Sequence, residues 1–196
     1  MSDSPKVPPH IVEGARHVLA EDGLAAATLE RISVAAGVSR MTLHRRGLSK
    51  QTILEALAER LEADYREAIW PALVSKGNAR DRLRQALEIE CGVAEEHLDV
   101  LEALSDAAHG AVYRARDADG RGALTRPVFV EPLERLLLDG AADGSLAFDD
   151  AAETATVLFN LVGHTYRHLR AGHGWTAERA RAAVLAVAIE GVAARD

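Results

Sequence analysis

The segment from Ser39 to Lys50 gathers four cationic side chains, Arg40, Arg45, Arg46 and Lys50, with hydroxyls at Ser39, Thr42 and Ser49, the imidazole of His44 and no acidic residue. Guanidinium and ammonium groups this close together suit phosphate oxygens, and a guanidinium also matches the O6/N7 edge of guanine bidentately. By itself such a run is a solvated basic surface, so its meaning depends on the element that carries it. Two other arrangements bear on chemistry. His164 and His168 stand four residues apart, on one face of a helix, with His173 just beyond, and that spacing can hold a metal. No carboxylate accompanies them and no third ligand is set by spacing, so a surface or a helix seam is expected and a metal site is not. Cys91, the only cysteine, sits among apolar helical neighbours, as a small core filler does; a redox sensor is the alternative. There is no nucleophile elbow, phosphate loop or His-Glu-x-x-His, so no catalytic residues and no cofactor are expected.

The elements that position the basic segment are marked by caps and stops. Ile11, Ala15, Val18 and Leu19 recur at helical spacing and predict a first helix over about 10–22, stopped by Gly23. Thr28 is a natural N-cap for a second helix whose buried face is Leu29, Ile32 and Ala36, with Gly37 at its end. Ser39 caps a short third helix over about 40–46, anchored by Leu43 and stopped by Gly47. Ser49 caps a long fourth helix with Ile53, Leu57, Leu61 and Ile69 as its apolar stripe, which Pro71 should kink or end. A short polar helix with one buried anchor gains little from its own protein, and its open side suits the major groove.

Ala, Leu, Glu and Arg are plentiful, aromatics are 4% of the chain, and alternating β-branched runs are missing, so an all-α fold is expected of these 196 residues. The net charge of −7 is unevenly spread: residues 1–60 hold eight Lys/Arg against seven Asp/Glu, and residues 61–196 hold fifteen against twenty-three. The acidic excess therefore lies away from the basic segment. No signal-like or membrane-spanning stretch is visible and no disulfide can form within the chain, which together point to the cytoplasm.

Taken together, Ile11-Val-Glu-Gly-Ala-Arg-His-Val-Leu-Ala-Glu-Asp-Gly23, then Thr28-Leu-Glu-Arg-Ile-Ser-Val-Ala-Ala-Gly-Val-Ser-Arg-Met-Thr-Leu43, then Ser49-Lys50 resemble the tetracycline-repressor (TetR) family over about residues 10–57. The turn at Asp139–Leu146, followed by two long helices, also resembles the family's C-terminal half. The resemblance implies a helix-turn-helix DNA-binding domain, 1–56, joined by a long helix to a helical effector-binding and dimerisation domain, 57–196. It implies a homodimer on a near-palindromic operator in double-stranded DNA, released by a small effector. Carried over by position, Thr28 caps the second helix near a phosphate, and Ser39, Arg40, Met41, Thr42, His44, Arg45 and Arg46 face bases or backbone. Lys50 holds a phosphate at a helix start. The family usually has Tyr at the position of His44 and Phe at that of Gly47. Losing the Phe removes an apolar plug between helices three and four, and a looser domain is expected.

The C-terminal half is read more coarsely. Helices are expected over about 79–93, 95–109, 126–142, 149–171 and 177–194, with a Gly/Asp/Arg-rich loop over 110–122 and a turn at Asp143-Gly144-Ser145. Polar or aromatic residues within apolar runs are the effector-site candidates: Trp70, His97, His109, Tyr113, Phe129, Phe159, His164 and Tyr166. For the dimer, small and apolar residues of the last two helices are the candidates: Leu158, Leu161, Val162, Ala180, Val184, Val187, Ala188 and Gly191. Three other readings compete with the repressor: an activator, a helical ligand-binding protein without DNA binding, and a helical enzyme holding a metal on His164, His168 and His173.

Overall fold

A computed structural model of the chain describes residues 6–108 and 126–193. Among them are nine α-helices, two π-helical turns and one isolated β-bridge, from Leu146 to Ala193. They fall into two compact units, 6–62 with 97–108, and 63–96 with 126–193.

In the first unit, α1 (Pro9–Ala26) is broken at Gly23, whose φ of +71° supplies the expected stop. α2 (Leu29–Ala35) starts at Thr28, whose hydroxyl accepts from the Arg31 amide at 3.3 Å. α3 (Arg40–Arg45) starts at Ser39, whose hydroxyl accepts from the Thr42 amide at 3.1 Å. α4 (Lys50–Val74) follows, with the Thr52 amide donating to the Ser49 hydroxyl at 3.1 Å. Pro71 does not end this helix: it runs one further turn, and the Ser75 amide donates to the Pro71 carbonyl at 2.9 Å. A proline so near the C-terminus removes a single helical hydrogen bond.

After α5 (Ala79–Glu96), the chain returns to the first unit in α6 (Leu98–Ala108). Val100 and Ala103 bury in the same core as Ile11, Ile32, Leu43 and Ile53. The boundary expected at 56/57 therefore falls inside α4, and the first unit gains a helix that the sequence reading assigned to the second. The break between α5 and α6 lies at His97.

The second unit packs the end of α4, α5, α7 (Glu131–Asp143), α8 (Ala151–Arg167) and α9 (Ala177–Val192). A π-helical turn over Arg126–Val130 leads into α7, and another over His168–Gly172 continues α8. The Asp143-Gly144-Ser145 turn caps α5 from a distance: the Asp143 carboxylate accepts from the Ala79 amide at 2.7 Å and the Ser145 hydroxyl from the Arg80 amide at 3.2 Å. The Ser145 hydroxyl, and after it the Ala79 amide, hold the Asp143 carboxyl below its ordinary pKa. Gly140 lets the returning chain close in, since a Cβ there would lie 2.3 Å from Leu146 Cδ1. The expected loop at 110–122, with His109 and Tyr113 beside and within it, lies outside the described residues.

Candidate nucleic-acid interface

α2 and α3 end in the same way. At α2, the Gly37 amide donates to the Val34 carbonyl (3.0 Å) and the Val38 amide to the Ser33 carbonyl (2.9 Å). At α3, the Gly47 amide donates to the His44 carbonyl (2.9 Å) and the Leu48 amide to the Leu43 carbonyl (3.1 Å). Both glycines have φ of +67°, so each is a Schellman stop, with an apolar residue following it into the core. Leu48 is buried in the first unit's core with Leu43, and it fills the apolar role that the missing Phe left open. That burial was foreshadowed in the sequence by an apolar residue directly after the glycine. Changing Gly47 to Phe is expected to destabilise this unit by about 1 kcal/mol or more, because the left-handed conformation penalises a Cβ. A thermal melt at or above wild type would count against that.

With its two ends so fixed, α3 turns Leu43 inward and leaves Arg40, Met41, His44, Arg45 and Arg46 exposed. Thr42 is half-buried, its hydroxyl 2.9 Å from that of Ser39. Thr28 and Ser39 are exposed as well as serving as caps. Lys50 is half-buried and already employed: its ammonium donates to the Leu24 carbonyl at 2.7 Å, tying the start of α4 to the end of α1. Two large apolar side chains stay open on the same helical pair, Val34 of α2 at 75% and Met41 of α3 at 72% exposure. Val34 was not singled out from the sequence, although two residues past Ile32 it falls on the side of α2 opposite the Leu29, Ile32 and Ala36 face. Cationic, hydrogen-bonding and apolar groups on one short exposed helix can serve phosphates, base edges and thymine methyls respectively.

The second unit brings together only some of the effector candidates. Phe129 and Phe159 stack with ring centroids 5.3 Å apart, and Phe129 lies 4.8 Å from Tyr65, which the sequence reading passed over. Tyr166 is buried elsewhere in this unit, donating to Glu95 at 2.8 Å. Arg170 also grips Glu95, at 2.6 and 2.7 Å, and holds that carboxyl below its ordinary pKa. Tyr166 and Glu95 border an open groove of about 670 Å³ with Ala68, Gly92, Ala177 and Arg181. Trp70 is 62% exposed, one position off the buried stripe, and His97 is buried in the first unit. His164 is exposed, its Nδ1 2.6 Å from the Arg167 guanidinium, a neighbour that opposes a metal cation. Among the described residues no three His, Cys, Asp or Glu gather as a metal site. Cys91 is buried, and burial pushes its thiol up to about 12.

The helices expected to dimerise use most of the named residues internally. Leu158, Val162, Ala180, Val184 and Ala188 are buried in the chain's own core, while Val187 and Gly191 are exposed and Leu161 is half-buried. A helix with apolar residues on two faces spends one on its own bundle, and sequence alone does not say which. Val157 of α8, at 62% exposure, joins Leu161 on the open side.

Residues 11–57 match the family model for bacterial regulatory proteins of the tetR family. No curated protein matches the chain. Among solved structures, the ketosteroid transcriptional regulator KstR2 of Mycobacterium tuberculosis is similar at a TM-score of 0.72 and 19% identity, covering 98% of this chain and 99% of that one. The TetR-family regulator PfmR of Thermus thermophilus has a TM-score of 0.71 and 20% identity, with coverage of 92% and 97%. A TetR-like transcriptional regulator from a Rhodococcus species has 0.67 and 20%, with 95% and 98%. Residues 11–57 are thus similar to the N-terminal domain of the tetR family of bacterial regulatory proteins, and the chain resembles these solved regulators in fold.

Proposed function

We propose that the protein represses transcription by binding a near-palindromic operator as a homodimer, and that a small effector bound in the second unit releases it. The observation that carries this is α3, a capped and glycine-stopped helix whose exposed side is basic and free of acid while its one anchor, Leu43, is buried. Val157, Leu161, Val187 and Gly191 on the open sides of α8 and α9 supply the apolar and small residues that a helical dimer seam uses. Release is a population shift: an effector that favours one arrangement of the dimer takes its recognition helices out of register with the half-sites. No described helix is long and apolar enough to cross a membrane.

The test is selection of the purified protein against random duplex DNA, followed by salt titration of the winner. A near-palindromic winner with half-sites about one or more helical turns apart is expected. No enrichment would remove the DNA-binding reading. Arg45→Ala should then weaken binding and lower the logarithmic salt slope by about one if Arg45 holds a phosphate, or relax one half-site position if it reads a base. Unchanged affinity and specificity would take Arg45 out of the interface.

A further inference from the structure

Glu90 lies on α5 at 4% exposure, and neither carboxylate oxygen completes a hydrogen bond among the described residues. The Tyr65 hydroxyl, on α4, is likewise buried and unpaired. The two groups influence each other: burial and Glu90 together push the Tyr65 phenol well above its ordinary pKa. Burial drives the Glu90 carboxyl up, with the Gly163 backbone pulling weakly the other way. On α8, Gly163 leaves room for the acid, since a Cβ there would stand 2.8 Å from Glu90 Oε1. One turn earlier on that helix is Phe159, stacked on Phe129, which meets Tyr65. A buried acid and a buried phenol thus share one region of the second unit with the Phe129 and Phe159 rings.

An unpaired buried carboxyl is costly, and natural interiors rarely keep one without a use. A second polar set of this unit, Glu95, Tyr166 and Arg170, is mutually hydrogen-bonded, and its Glu95 and Tyr166 border an open groove. Glu90 and Tyr65 leave an unmet demand: a buried carboxyl and a buried phenol without hydrogen-bond partners among the described residues, in a region that also holds the Phe129 and Phe159 rings. A neutral donor would satisfy the lone pairs. A protonated nitrogen also compensates a buried negative charge and is attracted by ring faces. We propose that Glu90 and Tyr65 are the recognition end of the effector site, and that the effector is an organic cation, presenting a protonated amine to Glu90 and an aromatic or apolar body to Phe129 and Phe159. This rests on the reading of the second unit as an effector domain and specifies its chemistry.

Three probes with one body and different heads separate the possibilities: 4-phenylbutylamine, 4-phenylbutanol and 4-phenylbutyrate, titrated calorimetrically into the full-length protein. The amine is expected to bind tightest and the carboxylate weakest. Glu90→Gln should lower amine affinity about tenfold or more while changing that of the alcohol by no more than about twofold, as loss of a charge-assisted bond predicts. Tyr65→Phe, which keeps the ring, should cost the amine several-fold. Tyr65→Phe should not melt below wild type, because it removes an unsatisfied hydroxyl, whereas Glu90→Gln keeps a buried polar head and is read by affinity alone. The proposal is overturned if no probe binds, if alcohol or carboxylate matches the amine, if Glu90→Gln leaves the preference for the amine intact, or if Tyr65→Phe melts lower. DNA selection on the same preparation keeps the two readings apart. Amine binding without duplex enrichment would retain this site and sink the regulator; enrichment without amine binding would do the reverse.

Discussion

Leu43→Ala is expected to abolish operator binding while leaving the second unit folded. Leu43 has no exposed surface and is the single deep anchor of α3. Truncating a fully buried leucine costs about 2–5 kcal/mol, from lost transfer energy and the cavity left behind. α3 has six residues, far below the length at which a helix persists alone in water, so its order depends on that anchor. The loss should appear in circular dichroism as an early melting step confined to the first unit, with a fall in affinity for the selected duplex. Wild-type melting with full affinity would show that α3 is held by its caps and Leu48, not by Leu43.

A smaller addition on α1 should have an effect of comparable kind. Gly14 faces Ala36, at the end of α2, so closely that a Cβ would stand 2.7 Å from the Ala36 amide nitrogen and 2.9 Å from its Cα. Gly14→Ala gains about 1 kcal/mol of helix propensity. The clash works against this gain, and because the obstacle is backbone next to the Gly37 turn it cannot rotate aside; overpacking of this sort costs about 1–3 kcal/mol. The clash should win, narrowly for Ala and by more than about 2 kcal/mol for Val. Denaturant midpoints for the two variants, read beside duplex affinity, check the order. Gly14→Val as stable as wild type would mean that α1 and α2 can separate freely.

Much of the first unit could be read from the chain because its boundaries are set locally. Thr28, Ser39, Gly23, Gly37 and Gly47 act through hydrogen bonds and φ values within a few residues of themselves. What was not legible is nonlocal. That Val100 and Ala103 of α6 return to the core of Leu43 depends on which of several apolar helices finds which partner. The same holds for α8 and α9, where Leu158 and Val184 went inward and Val157 and Val187 outward. Glu90 is a different case. It sits on the stripe of Leu83, Leu87 and Ala94, and Tyr65 sits on the stripe of Leu57, Leu61 and Ile69. Their helical register placed both in the core, but a search for polar residues ringed by apolar sequence neighbours selected Trp70 and His164, which the fold leaves exposed. Register along the helix is the better guide, since burial follows the face and not the immediate neighbours.

Cys91 has a practical consequence for anyone who wishes to watch the protein at work. It is the only thiol in the chain, it is buried, and at a pKa of about 12 almost none of it is the reactive thiolate near neutral pH. Maleimide and spin-label reagents therefore meet a nearly silent background. A cysteine introduced at Val34 of α2, open to solvent, would take the label almost alone, and in the proposed dimer distances between two labelled copies would follow the spacing of the recognition helices with and without effector.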